Sequence, residues 1–446
     1  MINKLLNLFF NVSEFATIII ALVVFIGICV YSFSSRYMKG DAQYRSFTIQ
    51  LILIVFAVSA MVSVDNLIIF FIAWCLSNML LVRLMIHKSS WKAAKQSGIL
   101  AAKNYVLGAF CIGSACALLY SSTGKISIQA IASQDAQSTS IIIALVLMLI
   151  GAMTQSAIWP FHRWLLSSLN SPTPVSAIMH AGLVNGGGCL LVRFAPLYLQ
   201  HPHLLTGIFL IGLTTSLIGT LWNLMQNDIK RMLACSTMGQ MGFMFAQCGL
   251  GLFPAAVAHL VWHGMFKSYL FLASGSAAQE KRFDLGYPPK LFTLICSLLC
   301  GVAGSLSFGY TTGTSWLAGD TTLILMVIAF LTATQFALTM LQFKTVRNLP
   351  LTCIATIIIG FFYGMSVELI TSAMERMQLM QPQPLNIFHI FGLVALTLSW
   401  LLIVLTKNQE QNNDLPSSIL KIYVIALNSS QPHPETVTSH HNQYQY

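Results

Sequence analysis

The chain has 446 residues, 56% of them hydrophobic and only 8% charged, with a mean hydropathy of +0.73. Ordinary soluble domains are about a quarter charged, so a solvated surface of normal size cannot be built, which excludes a soluble enzyme and a nucleic-acid binder. The net charge of +10, from 23 Lys and Arg against 13 Asp and Glu, is therefore read as loop charge in a membrane protein.

Apolar runs predict thirteen helices, over 15–34, 47–64, 66–86, 99–120, 141–158, 175–195, 204–225, 229–249, 254–274, 291–308, 321–341, 350–372 and 386–406. This is an all-α polytopic membrane fold. No soluble domain interrupts the helices, and no signal peptide is expected, because the first apolar run is long and lacks a small-residue cleavage site. Composition turns polar after about residue 407, so 1–406 is read as one transmembrane ion-translocating domain and 407–446 as a polar tail. The loops after odd-numbered helices hold fourteen Lys and Arg, among them Arg36, Lys39, Arg163, Lys230, Lys281, Arg282 and Lys344. The N-terminus and the even loops hold four, Lys4, Lys125, Arg193 and Arg376. The positive-inside rule then puts the odd loops and the C-terminus, with Lys407 and Lys421, in the cytoplasm and the N-terminus outside. Nearly all of the ten cysteines lie in apolar runs with no CxxC spacing, which reads as core packing rather than a metal or disulfide framework.

An ionisable residue inside the bilayer costs several kcal/mol and is a functional candidate by default. The ninth helix holds His259, His263 and Lys267 at i, i+4 and i+8, one stripe about 12 Å long. Imidazoles take a proton on one nitrogen and release it from the other, and a desolvated lysine titrates closer to neutrality. Such a stripe, wetted, is a proton relay; polar glue between helices is the other reading. In the sixth helix Pro172 and Pro174 open a segment carrying His180 and then Gly186, Gly187 and Gly188, which permit close packing or a local break. His162 is expected at the cytoplasmic mouth. Asp228 near the start of the eighth helix suits the positive dipole end, and Lys230 and Arg231 beside it suit lipid phosphates. Asp65, Glu368 and His389 are isolated and weaker candidates. Few acidic residues lie in the helices to build a sodium cage, which favours protons over Na⁺.

The blocks Ser171–Ala181, Asp228–Met238 and His259–Ser276 resemble, in order and spacing, the proton-translocating antiporter-like subunits of respiratory complex I and the Mrp antiporters. Within that superfamily the chain is most similar to the DabB membrane subunits of the DabA–DabB inorganic-carbon accumulation system, through Tyr37–Asp41, Pro160–Leu165, His180–Gly187, Met241–Gly251 and the tail Ala426–Pro434. The resemblance implies two inverted five-helix repeats with broken helices on the ion path, in a bacterial inner membrane. It also implies a cytoplasmic zinc protein, DabA, as partner. Zinc and hydration of CO₂ would belong to that partner, and this chain would be no enzyme and hold no cofactor. His180, His259, His263 and Lys267 would carry H⁺ or Na⁺, with His162, Asp228, Lys230 and Gln155 along the path or at its mouth. Two positions depart from the antiporter pattern: Cys75 follows Trp74 where a glutamate is usual, and Gln155 stands where a lysine is usual. Loss of that charge pair argues against ordinary complex I pumping. A complex I- or Mrp-type antiporter subunit and a passive membrane dock for a soluble enzyme are the alternatives.

Overall fold

The computed structural model describes residues 13–275, 288–342, 345–405 and 417–437, and every regular element among them is helical. The loop charges Lys4, Lys281, Arg282, Lys344 and Lys407 lie outside the described residues. In chain order the helices are α1 (Glu14–Tyr37), α2 (Tyr44–Ser63), α3 (Leu67–Met85), α4 (Lys92–Thr123), α5 (Ile128–Ala132), α6 (Thr139–Gln155), α7 (Arg163–Leu166), α8 (Thr173–Ala181), α9 (Gly186–Arg193), α10 (Ala195–Tyr198), α11 (Pro202–Met225), α12 (Ile229–Gly249), α13 (Phe253–Leu272), α14 (Leu291–Thr312), α15 (Thr322–Leu341), α16 (Thr345–Ala373), α17 (Ile387–Leu405) and α18 (Ser417–Ser429). Polar side chains start several of them. Ser13 accepts from the Ala16 N–H at the head of α1, and Asn66 accepts from Ile68 and Ile69 at the head of α3, satisfying N–H groups with no partner in the helix.

Each predicted apolar run is helical, and ten segments are long and apolar enough to cross a membrane. The 17-residue α6 is shorter. Helices α12 and α13, which carry the polar residues described below, are not among the ten. Helix α4 runs well beyond the expected 99–120, because Lys92 and Lys95 continue the helix past the end of its apolar stretch.

Two compact units divide the chain. The first comprises residues up to 248 with 259–278 and 422–446; the second comprises 249–258 and 279–421. In the first unit the segment Thr173–Arg193 is buried along its whole length, whereas α1 to α4 bury half or less of theirs. The broken helix α8–α9 is thus the axis of this unit. Phe25, Ile28, Phe56 and Phe110 are exposed on the surrounding helices, the pattern of a lipid-facing ring. In the second unit α14 packs on α15 and α16, with Gly304 against Gly360 and Thr334 over Gly301. Gly251, at φ +76°, turns the chain so that its carbonyl accepts from the Gln381 N–H.

Arg193 corrects one reading. It is not a solvated loop charge: it closes α9, donates to the Met61 and Val64 carbonyls, and lies over the Phe70 ring at 5.7 Å. An arginine at a span end can be held this way because it offers several donors in a fixed fork. In the loop after α1, Asp41 accepts from His87 Nε2 at 3.1 Å and from the Gln43 N–H. The Gln43 N–H, and after it the His87 ring, hold the Asp41 carboxyl below the usual carboxylate range against the opposing effect of burial. Within the stretch read as a polar tail, α18 is apolar from Leu420 onward, and the segment after it returns to the first unit.

Candidate functional site

The break between α8 and α9 is set by local chemistry. Helix α8 opens at Pro172 and Pro174, where a missing N–H costs nothing, and ends at Gly182. Residues Leu183–Asn185 form a single tighter turn before α9 begins at Gly186. A helix that breaks inside a membrane protein must find partners for the carbonyls it frees. Here α6 supplies them: Gln155 Nε2 donates to the Leu183 carbonyl at 3.1 Å and Ser156 Oγ to the Val184 carbonyl at 2.7 Å. Asn185 Nδ2 caps the Ala181 carbonyl at 2.7 Å. Gln155 is therefore a partner of the broken backbone. Gln155→Leu should leave the Leu183 carbonyl with only the Gly186 N–H and cost about 0.5–1.5 kcal/mol, read as a lower unfolding temperature in detergent; an unchanged temperature would mean the Gly186 N–H suffices.

Beside the break lies a small cavity of about 10 Å³, room for one water. Ser77, Gln155, Asn185, Gly186, Cys189 and Leu260 are among its lining residues. Gln155 Oε1 and Asn185 Oδ1 are buried without a hydrogen-bond partner, and Ser77 spends its hydrogen on the Trp74 carbonyl. The cavity thus offers lone pairs and suits a small hydrogen-bond donor.

The four strongest sequence candidates come together in the first unit. His180 projects from α8, and its Nδ1 lies 3.1 Å from Thr237 Oγ1 on α12. Thr237 gives its own hydrogen to the Leu233 carbonyl one turn back, at 2.9 Å. While that bond is made the hydroxyl accepts from a protonated Nδ1; turned toward the ring it donates to the other tautomer, so the pair can serve either protonation pattern of His180. The same Leu233 carbonyl accepts from Lys267 Nζ of α13 at 3.2 Å. A continuous polar chain therefore runs His180, Thr237, Leu233 carbonyl, Lys267. His180 also stacks on Phe271, ring centres 4.2 Å apart. Above Lys267 on the same helix face, the rings of His263 and His259 stack at 6.0 Å and 18°, and the edge of Phe243 meets His259 at 5.1 Å. Lys267 is 1% exposed, His180 1% and His263 5%, so all three are out of solvent. Among the described residues, both ring nitrogens of His263 and Nε2 of His259 have no hydrogen-bond partner. Among the described residues no carboxylate is paired with any of the four. Thr237 and Lys267 both donate to the Leu233 carbonyl, which has no proton to hand on, so these bonds position the two groups, and a proton would pass between Lys267 and the imidazoles by way of water.

The remaining candidates sit apart. Asp228 caps α12, accepting from the Arg231 N–H at 2.8 Å, and Lys230 lies in that same first turn. His162 is not at an open mouth: it is 6% exposed, its ring 4.9 Å from that of Trp222, and neither ring nitrogen makes a hydrogen bond of good geometry. Burial, and after it the Arg163 charge, pull its pKa down to about 4, while the backbone at Pro160 and Ser429 acts weakly in the other direction. Trp222 belongs to a buried apolar cluster with Leu166, Ala234, Cys235 and Met238, and His162 packs on it. Asp65 is a turn residue, accepting from Ser127 and the Gln129 N–H, and His389 belongs to the cap of α17 with Asn386. Glu368 accepts from Ser372 Oγ within its own helix. Among the described residues no group of three or more metal-ligating side chains occurs. Thr237 and Asn185 were not singled out in the sequence. Thr237 sits one turn past Leu233 on a helix whose own pattern gives no polar stripe, and only its neighbour across space reveals it.

The family model for the transmembrane part of NADH:quinone oxidoreductase and Mrp antiporters matches residues 64–295, which hold this whole site. A protein of Halothiobacillus neapolitanus described as a probable inorganic carbon transporter subunit, DabB1, is 37% identical over 285 residues, 62% of this chain and 51% of that protein. A Bacillus subtilis protein described as a probable inorganic carbon transporter subunit, DabB, is 37% identical over 275 residues, 60% of this chain and 54% of its own. NADH-quinone oxidoreductase subunit L of Campylobacter jejuni is 32% identical over 367 residues, 76% of this chain and 60% of the relative. The chain spans about half the length of the first two. In three dimensions it is similar to a chain of the Mrp complex from a Dietzia species, TM-score 0.56 at 21% identity, over 93% of this chain and 48% of that one, a likeness of fold.

Proposed function

We propose that this chain, which belongs to the NADH:quinone oxidoreductase/Mrp antiporter transmembrane family, is the ion-conducting membrane subunit of an inorganic-carbon accumulation pump. In this reading a cation, H⁺ or Na⁺, enters through the first unit and its descent drives hydration of CO₂ by a DabA-type cytoplasmic zinc protein. Zinc and catalysis belong to the partner, and this chain is not itself an enzyme. The chain sits in a bacterial inner membrane with its N-terminus outside and its C-terminus in the cytoplasm. The observation that carries the reading is the buried chain His180, Thr237, Leu233 carbonyl, Lys267, continued by His263 and His259. It is cationic and neutral throughout, which suits a proton better than a metal ion. The likeness to proteins described as inorganic carbon transporter subunits supplies the cargo. Cys75 and Gln155, neutral where a charge pair would drive an antiporter stroke, favour downhill conduction over complex I-type pumping.

The test is expression with the genomic neighbours. A host lacking carbonic anhydrase should grow in air only when both this chain and the zinc protein are present, and a tag on this chain should bring the zinc protein down from detergent. Purification alone, or with a set of oxidoreductase subunits, would sink the proposal in favour of the antiporter alternative.

A further inference from the structure

The segment after α18 is fastened to the first unit by four side-chain hydrogen bonds, each bridging about 200 residues or more of sequence. Ser430 Oγ accepts from Gln226 Nε2 at 2.8 Å, and Gln431 Oε1 from Arg231 Nη1 at 3.0 Å. The His433 N–H donates to Ser167 Oγ at 2.9 Å, and the Thr436 carbonyl accepts from Asn170 Nδ2 at 2.7 Å. The receiving groove is itself braced: Ser97 Oγ donates to the Ser167 carbonyl at 2.7 Å, and Asn170 reaches Ser97 at 3.1 Å. Ser430, Pro432 and Thr436 point inward and are buried, while Pro434 and Glu435 face out. Every anchor lies in the α7–α8 connection, the α11–α12 corner or the first turns of α4, the ends of elements that surround His162. His162 packs on Trp222, one turn before the anchor Gln226, and lies five residues before the anchor Ser167. His162 is 6% exposed, an imidazole shut away from water.

We propose that Ser430–Thr436 is a strap that seals His162 from solvent, and that ion exit past His162 requires the strap to lift. A segment held by four exchangeable hydrogen bonds, with two of its residues exposed, opens far more readily than a helix packed in the core. The strap's grip would then govern how often the buried imidazole is wetted. The flux part rests on the ion-conducting reading above; the sealing part does not.

The experiment is carbethoxylation of histidines by diethyl pyrocarbonate, followed by mass spectrometry, on the chain purified with its partner subunits. In the intact chain His162 should react much more slowly than the exposed His203. A chain ended after Ser429 should react at His162 at least about tenfold faster than the intact one. The double variant Ser167→Ala with Asn170→Ala keeps the full chain and loses two anchors, so it should show a smaller rise in the same direction even if the truncation does not fold. Equal rates at His162 and His203 in the intact chain, or no rise in the double variant, would overturn the strap. Ion flux in liposomes forms a separate arm. Faster flux in the double variant supports a gate, whereas flux unchanged despite a faster His162 reaction overturns gating and leaves only a seal. No flux in the intact chain strikes the ion-conducting reading instead.

Discussion

Lys267→Ala should abolish air-dependent growth of a host lacking carbonic anhydrase, with the protein still assembled in the membrane. Lys267 is 1% exposed and its amine is bonded to a backbone carbonyl that it shares with Thr237, and an alanine there offers no group to take up or release a proton. Removing a positioned proton-transfer group costs about a hundredfold or more in rate. Lys267→Arg is the sharper variant. Arginine keeps the charge and can still bond the Leu233 carbonyl, but it does not deprotonate in proteins. A relay stops with it; a lysine that only pins α13 to α12 tolerates it. His263→Ala should act like Lys267→Ala, because both its ring nitrogens are unpaired and therefore free to meet a passing proton. Phe266→Leu, on a residue 60% exposed on the same helix, is the control and should leave growth unchanged. Fully active, assembled Lys267→Arg and His263→Ala proteins would reduce the stripe to packing and move the ion path elsewhere.

The stripe was legible in the sequence because its spacing is local: three polar residues four apart on one helix must share a face whatever surrounds them. The helix break was legible for a similar reason, since two prolines and three consecutive glycines mark where a helix starts and weakens. What the sequence could not show is what crosses space. His180 meets Thr237 from 57 positions away, and the Leu233 carbonyl that joins Thr237 to Lys267 is a backbone atom with no signature at all. Gln155 is conspicuous only as a missing charge, yet its amide closes the broken backbone of α8–α9. Arg193 counts as a loop charge by position and turns out to be a half-buried donor to Met61 and Val64, a role that depends on where α2 ends. His162 falls between apolar runs, which suggests a wet mouth; the covering segment arrives from more than 260 residues further along the chain.

The geometry of the Leu233 carbonyl depends in turn on how close α12 can come to α11, and Gly242→Val should therefore remove most of the folded protein. Three small residues on α11, Gly212, Ser216 and Gly219, face Gly239, Gly242 and Ala246 on α12, and the backbones touch. A methyl group on Gly242 would sit 2.5 Å from the Ser216 nitrogen and 2.7 Å from the Gly212 carbonyl oxygen; one on Gly219 would sit 2.5 Å from the Gly239 nitrogen. These neighbours are backbone atoms and cannot swing aside as a side chain would. Small residues let helices in a bilayer approach this closely, and close approach is much of what holds them together there. Overpacking a tight contact costs about 1–3 kcal/mol even where side chains can yield, and a branched residue between two backbones forces the helices themselves apart. Fluorescence-detected size-exclusion chromatography should show the monodisperse peak of Gly242→Val largely lost, and that of Gly207→Ala, on the same α11 with open space around it, retained. Gly242→Ala is the informative intermediate. If it assembles, α12 must shift relative to α11, changing the position of Thr237 and the Leu233 carbonyl, which His180 and Lys267 meet through single hydrogen bonds of 3.1 and 3.2 Å. Growth rescue should then fall while the protein peak persists. An assembled Gly242→Ala protein with undiminished rescue would show that the Leu233 carbonyl is not on the ion path.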